Sequence, residues 1–196
     1  MDQAQIQRNA RRKRNASAAV WPDDGQVAPD TYADSVPSPR LVAALLVLGR
    51  LQIERVPWWA AQWLIDGHDS PALGELAGLG VRDTYTVHDL LPIVLAEVSV
   101  ALPVTAVAAA TVVFDDLAHR CLAGAIGERW LAQQVEDIVI RADYSTAITA
   151  LPLGTLYGID DEWAGGWGRT VEELAAAVRT ACADQIDISR HRSRTR

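Results

Sequence analysis

Glu128-Arg129-Trp130-Leu131-Ala132-Gln133-Gln134-Val135-Glu136-Asp137-Ile138-Val139-Ile140-Arg141 is the stretch that decides the fold class. Trp130, Leu131, Val135, Ile138 and Val139 recur at helical spacing, and charged or amide side chains fill the opposite face. That pattern is an amphipathic helix with one stripe to bury. Gly127 marks the break before it.

The same period governs the chain on both sides. Ser38-Pro39 caps a helix to about Gln52, with Leu41, Leu45, Val47 and Leu48 as its apolar set. Pro57 opens a second helix to Asp66, and Gly67 stops it. Asp69-Ser70-Pro71 starts a third, ending before Gly78. Thr84 or Thr86 opens a fourth, to about Val98, kinked or delayed by Pro92. Pro103 or Thr105 opens a fifth, to about Ala123. After the helix over 128–141, residues 145–157 read as helical and disturbed at Pro152-Leu153-Gly154. Residues 158–168 read as a loop. Thr170-Val171-Glu172-Glu173 is a capping box that opens a last helix to about Ile186. No apolar–polar alternation bounded by turn signals argues for a strand.

The expectation is therefore an all-α, multi-helix bundle of about seven to eight helices. It is arranged as two small lobes, 38–100 and 101–188, or as one continuous bundle. Residues 1–37, with three prolines and no apolar period, read as a disordered arm. Residues 189–196 read as a solvated basic tail.

The chain has 196 residues and a net charge of −7. Its charge is unevenly placed: residues 41–188 hold 8 Arg against 20 Asp and Glu, a net of −12, while both ends are Arg-rich. An acidic body repels the phosphate backbone that supplies most nucleic-acid affinity, so only the tails suit nucleic acid. It suits a basic protein partner. Residues 98–114 carry no charge, but they are few, Ala-rich and contain Pro103, which favours a core helix over a membrane span. The apolar run 41–49 lies too far in for a secretory signal, and nearly thirty mostly polar residues separate it from Arg11-Arg12. Cys121 and Cys182 sit in apolar helical patterns and read as buried small hydrophobes. A bridge between them stays open. Two isolated thiols fit a reducing, cytoplasmic setting.

Several constellations stand out in the sequence. Trp58, Trp59 and Trp63 form an aromatic stripe; core packing is favoured over a ligand site, with one of the three exposed. Asp66-Gly67-His68-Asp69-Ser70-Pro71 is explained as a helix stop and cap in all but His68. The helix rhythm over 56–98 resembles a helix-turn-helix, yet its later helix offers His88, Asp89 and Glu97 with no Arg or Lys for DNA. Asp115 and Asp116 with His119 share a helix face, but no second ligand set makes a metal site, so a solvated acidic face is favoured. Asp160, Asp161, Glu162 and Trp163 combine charge for steering with an anchor. No cofactor motif is present: no nucleotide fingerprint, P-loop, Gly-x-Ser-x-Gly, His-Glu-x-x-His or paired Cys-x-x-Cys.

Trp58-Trp59-Ala60-Ala61-Gln62-Trp63-Leu64-Ile65-Asp66-Gly67-His68-Asp69-Ser70-Pro71-Ala72-Leu73, with Glu75-Leu76-Ala77-Gly78-Leu79 and Asp161-Glu162-Trp163, resembles small helical actinobacterial proteins without an assigned activity. Some similar acidic helical proteins look like immunity or antitoxin partners. The resemblance implies no catalytic residue. The sequence thus points to a non-enzymatic interaction module. Its partner-binding residues are Trp58, Trp63, Asp160, Asp161, Glu162 and Trp163, and its partner is basic. The alternative is an enzyme or small-ligand binder with an inter-helix pocket near His68 or His119.

Overall fold

The computed structural model describes residues 35–194. Most of the expected arm, residues 1–34, lies outside the described residues, as do Thr195 and Arg196 of the tail. Among the described residues there are nine α-helices and no strand: α1 Pro39–Val47, α2 Val56–Ile65, α3 Pro71–Ala77, α4 Thr84–Glu97, α5 Ala106–Leu122, α6 Glu128–Arg141, α7 Thr146–Thr149, α8 Ile159–Gly165 and α9 Val171–Arg194. Two 3-10 turns, Ile53–Arg55 and Leu153–Leu156, join them.

The ends of these helices are written in hydrogen bonds. Ser38 Oγ accepts from the Leu41 amide and Ser70 Oγ from the Leu73 amide, each with proline at the next position. Thr105 Oγ1 accepts from Ala108. The capping box is reciprocal: Thr170 N–H donates to Glu173, and Glu173 N–H to Thr170 Oγ1. α1 is shorter than expected. It stops at Val47 because Gly49 turns left-handed at φ 63°, and the amides of Gly49 and Arg50 return to the carbonyls of Leu46 and Leu45. The same closure ends α4 on Ser99, a non-glycine held at φ 61°.

The last helix is longer than expected. α9 continues past Ile186 to Arg194, through most of the segment expected to be a loose tail. Nothing between Val171 and Arg194 breaks a helix, and cations at a helix C-terminus are favoured by its dipole. Ser189 Oγ also donates to Asp115 on α5, at 2.7 Å.

The core is built around α5. Its apolar stripe, Ala109, Ala110, Val113, Phe114, Leu117, Ala118 and Cys121, is buried. α9 covers α5 in the largest interface of the fold, and α1 packs beside it with Leu41 through Leu45 all buried. α6 and the 3-10 turn Leu153–Leu156 pack on α9. Gly154 is obligatory in that turn: a Cβ there would lie 1.9 Å from the Ile148 carbonyl oxygen. α2, α3 and α4 pack in succession, and α4 returns to α1. Helices from both sides of the break at 101–103 therefore meet, since α1 packs on α5. Arg50, just after α1, reaches Asp137 (3.0 Å) and Gln134 (2.6 Å) on α6.

Candidate functional site

α2 contains no charged residue, and its two faces have different fates. Val56, Pro57, Trp59, Ala60 and Trp63 are buried. Trp63 is 1% exposed, and its indole N–H donates to the Pro37 carbonyl at 2.9 Å. Trp63 is therefore a core residue, not a contact for a partner, which corrects the sequence expectation. It also ties down Pro37, the end of the segment expected to be disordered; Pro37 is itself buried.

Trp58 stands 45% exposed, and Ile65 75%. They are seven residues apart, two helical turns, and so share the outward face. Leu64 is exposed beside them. The Arg55 guanidinium lies 5.5 Å from the Trp58 ring centroid and 5.9 Å from that of Trp59, which holds the first ring in place by a cation–π contact. A helix apolar all round is ordinarily buried all round. α2 is buried on one side only.

Carboxylates gather where α2 ends. Asp66 caps the helix, Gly67 turns the chain, and Asp69 precedes the Ser70 cap of α3. Asp66, Asp69 and Glu75 are exposed and form no ion pair among the described residues. His68 is half-buried, with its amide donating to the Trp63 carbonyl. Glu97 is used locally, accepting from the Ala72 amide at the start of α3.

The acidic segment 160–162 differs from expectation. It is the first turn of α8, not a loop. Three carboxylates suit the positive end of a helix, and Gly158 and Gly166 at left-handed φ bracket it. These acids are largely consumed inside the fold. Asp160 accepts from Arg129 of α6 at 2.9 Å. Glu162 is held by both Arg169 Nε (3.0 Å) and Arg169 NH2 (2.9 Å). Those bonds from Arg169 hold the Glu162 carboxyl below its ordinary range. Asp161 is exposed and Trp163 half-buried. Trp167 is 61% exposed, its indole lying over Gly165, where a Cβ would come within 2.2 Å of the ring nitrogen. Exposed Ile65 and Trp167 are absent from the expected contact set; the outward phase of Ile65 relative to Trp58 was the available signal.

The pairing of Asp115 with His119 is replaced by a tie to α9. Asp115 Oδ1 accepts from Gln185 Nε2 at 2.8 Å and from Ser189, so Asp115 is not on a solvated face. His119 is exposed. Among the described residues, no three His, Cys, Asp or Glu side chains gather as a metal site requires. No helix among them is long and apolar enough to cross a membrane.

Comparison with known proteins gives no match: no family model, no curated protein and no solved structure is similar to the chain.

Proposed function

We propose that the protein is a non-enzymatic interaction module that receives a basic protein partner on the outward face of α2. The observation that carries this reading is the uncharged helix whose second apolar face, Trp58 and Ile65, is left in solvent. Tryptophan concentrates binding energy when it is desolvated in an interface. The unpaired carboxylates Asp66 and Asp69, which follow α2 directly, and Glu75, on α3 packed against it, steer a cationic partner toward that face. Asp160 and Glu162 are already neutralised by Arg129 and Arg169, so they serve the fold, and Asp161 and Trp163 are secondary contacts at most. An immunity- or antitoxin-like role, or that of a regulatory accessory protein, is the concrete form of such a module. Two unbridged thiols fit a reducing cytoplasm. The histidine-centred alternative draws no support from His119, since Asp115 beside it is committed to α9.

The test is recovery of the tagged full-length protein from its host with nuclease present, quantified by mass spectrometry beside two variants. One is Trp58→Ala with Ile65→Ser; the other is Asp66→Asn, Asp69→Asn and Glu75→Gln. A basic protein should be retained by the parent and lost about thirtyfold with the apolar variant. The charge variant should weaken capture and flatten its dependence on salt. Equal recovery by all three, with unchanged circular dichroism, refutes the assignment.

A further inference from the structure

The two cysteines of the chain, 61 positions apart, are brought to one point in the largest interface of the fold. Cys121 lies in the last turn of α5 and Cys182 in the middle of α9; both are buried free thiols. Their opposition follows from helix register. Asp115 accepts from both Gln185 and Ser189, which sets it level with position 187 on α9. Glu128, beyond α5, meets Arg179. The two helices are therefore antiparallel. Six residues along α5 from Asp115, about 9 Å, corresponds to six residues back along α9. That step reaches 121 on one helix and 181–182 on the other. The two thiols are close enough to shift each other's pKa, Cys121 down and Cys182 up.

The spacing suits a covalent bond. Packed helix axes lie about 8–10 Å apart and Cα atoms about 2.3 Å off each axis, which leaves facing Cα atoms about 3.4–5.4 Å apart, overlapping the range a disulfide needs. A disulfide spans about 4.4–6.8 Å between Cα atoms. Ala118 and Ala181, both buried small residues next to the pair, let the helices approach.

We propose that Cys121 and Cys182 are a two-electron oxidation site, converted by a hydroperoxide into an intrachain disulfide that clamps α5 to α9. The Cys121 thiolate attacks the peroxide oxygen; the O–O bond breaks, water leaves after protonation, and Cys121 becomes a sulfenic acid. The Cys182 sulfur then attacks the Cys121 sulfur, its proton leaves with the sulfenic hydroxyl as a second water, and the S–S bond forms. Two thiols are oxidised and one hydrogen peroxide is reduced to two waters.

The two cysteines have different parts. Cys121 is the less buried, at 6% exposure against 0% for Cys182. The neighbouring Cys182 thiol lowers the Cys121 pKa, against burial and the nearby Glu128 carboxylate, with Arg179 assisting. Cys121 and burial together raise Cys182. Cys121 is thus the attacking thiol and Cys182 the resolving one.

The experiment treats the purified full-length protein with hydrogen peroxide and counts free thiols, maps the linked peptides and melts the product. Loss of both thiols within a monomer, a Cys121–Cys182 peptide reversed by dithiothreitol, and a Tm raised by about 10 °C are expected for a loop of this length. In Cys182→Ser, peroxide should leave a sulfenic acid on Cys121 that dimedone captures. The wild-type arm stands even if that variant does not fold. Thiols that persist at doses oxidising the urea-unfolded chain overturn the proposal. So do intermolecular dimers, or Cys121 passing to sulfinic acid without a crosslink.

Discussion

Replacing Trp63 by Phe tests whether the aromatic stripe divides between core and surface as described. The indole N–H of Trp63 is the donor to the Pro37 carbonyl, in a site where both residues are buried. Phenylalanine keeps a ring but deletes that donor, and an orphaned buried carbonyl costs about 1–3 kcal/mol. It also removes three ring atoms from a side chain that is 1% exposed, and incomplete refilling adds about 1 kcal/mol. The sum is about 3 kcal/mol, large against the ~5–15 kcal/mol that holds a domain of this size. Trp58→Phe is the matched control: it sits 45% exposed, keeps a ring beneath Arg55, and should cost about 0.5 kcal/mol. Urea unfolding followed by circular dichroism reads both, with the slope m unchanged. A Trp63→Phe protein within about 0.5 kcal/mol of the parent refutes the reasoning. Equal losses at Trp58 and Trp63 refute it too, since the burial difference would then be without consequence.

Ser99→Gly should stabilise. Ser99 is held at φ 61° to close α4, a conformation glycine adopts freely; the relief, less the entropy glycine adds to the unfolded chain, is worth about 0.5–1 kcal/mol, or about 1–4 °C in Tm. A melt unchanged or lowered would mean the side chain contributes more than the strain costs. Stability should also fall in acid. Glu162 is depressed chiefly by bonds from Arg169, and Glu128 by its own backbone amide and then Arg179, so both contribute fully above the ordinary carboxylate value of 4.5. That contribution is lost as pH drops below 4.5 through the lowered values. Melts between pH 3 and 6 should show a shallower slope for Glu162→Gln; identical slopes would place the acid lability elsewhere.

The parts legible in the sequence are those whose signals are local. Thr170 and Glu173 cap α9 as their spacing demands, and α6 runs over 128–141 as its apolar period does. Ser70-Pro71 starts α3 because both the hydroxyl and the ring act within one turn. The misses have physical causes. α1 overruns in the reading because its apolar period continues past Gly49, while the left-handed turn there ends the helix first. α8 was hidden by three adjacent carboxylates, which read as loop composition until Gly158 and Gly166 are taken as its two ends. α9 runs to Arg194 for want of any breaker, a negative signal that the run of arginines obscured. Trp58 and Trp63 could not be separated by pattern, because residues 56–65 contain no charge to mark the wet face. Cys121 meets Cys182 only through the register of α5 on α9, which is a tertiary fact.

Charge placement joins these points. In the C-terminal half, the arginines are spent on nearby acids: Arg129 on Asp160, Arg141 on Asp137, Arg169 on Glu162 and Arg179 on Glu128. Arg50 crosses from the N-terminal half to add a second cation to Asp137. Such exposed pairs contribute little stability each. Their larger effect is to neutralise those particular carboxylates locally. Residues 51–104 differ, with seven Asp and Glu against two Arg. The segment with α2, α3 and α4 thus has carboxylates without arginine partners, and the exposed indole of Trp58 and the side chain of Ile65 lie on α2. If the proposed function holds, the field of these carboxylates acts on encounter and not on folding: added salt should slow the arrival of a cationic partner at α2, while the stability of the bundle changes little.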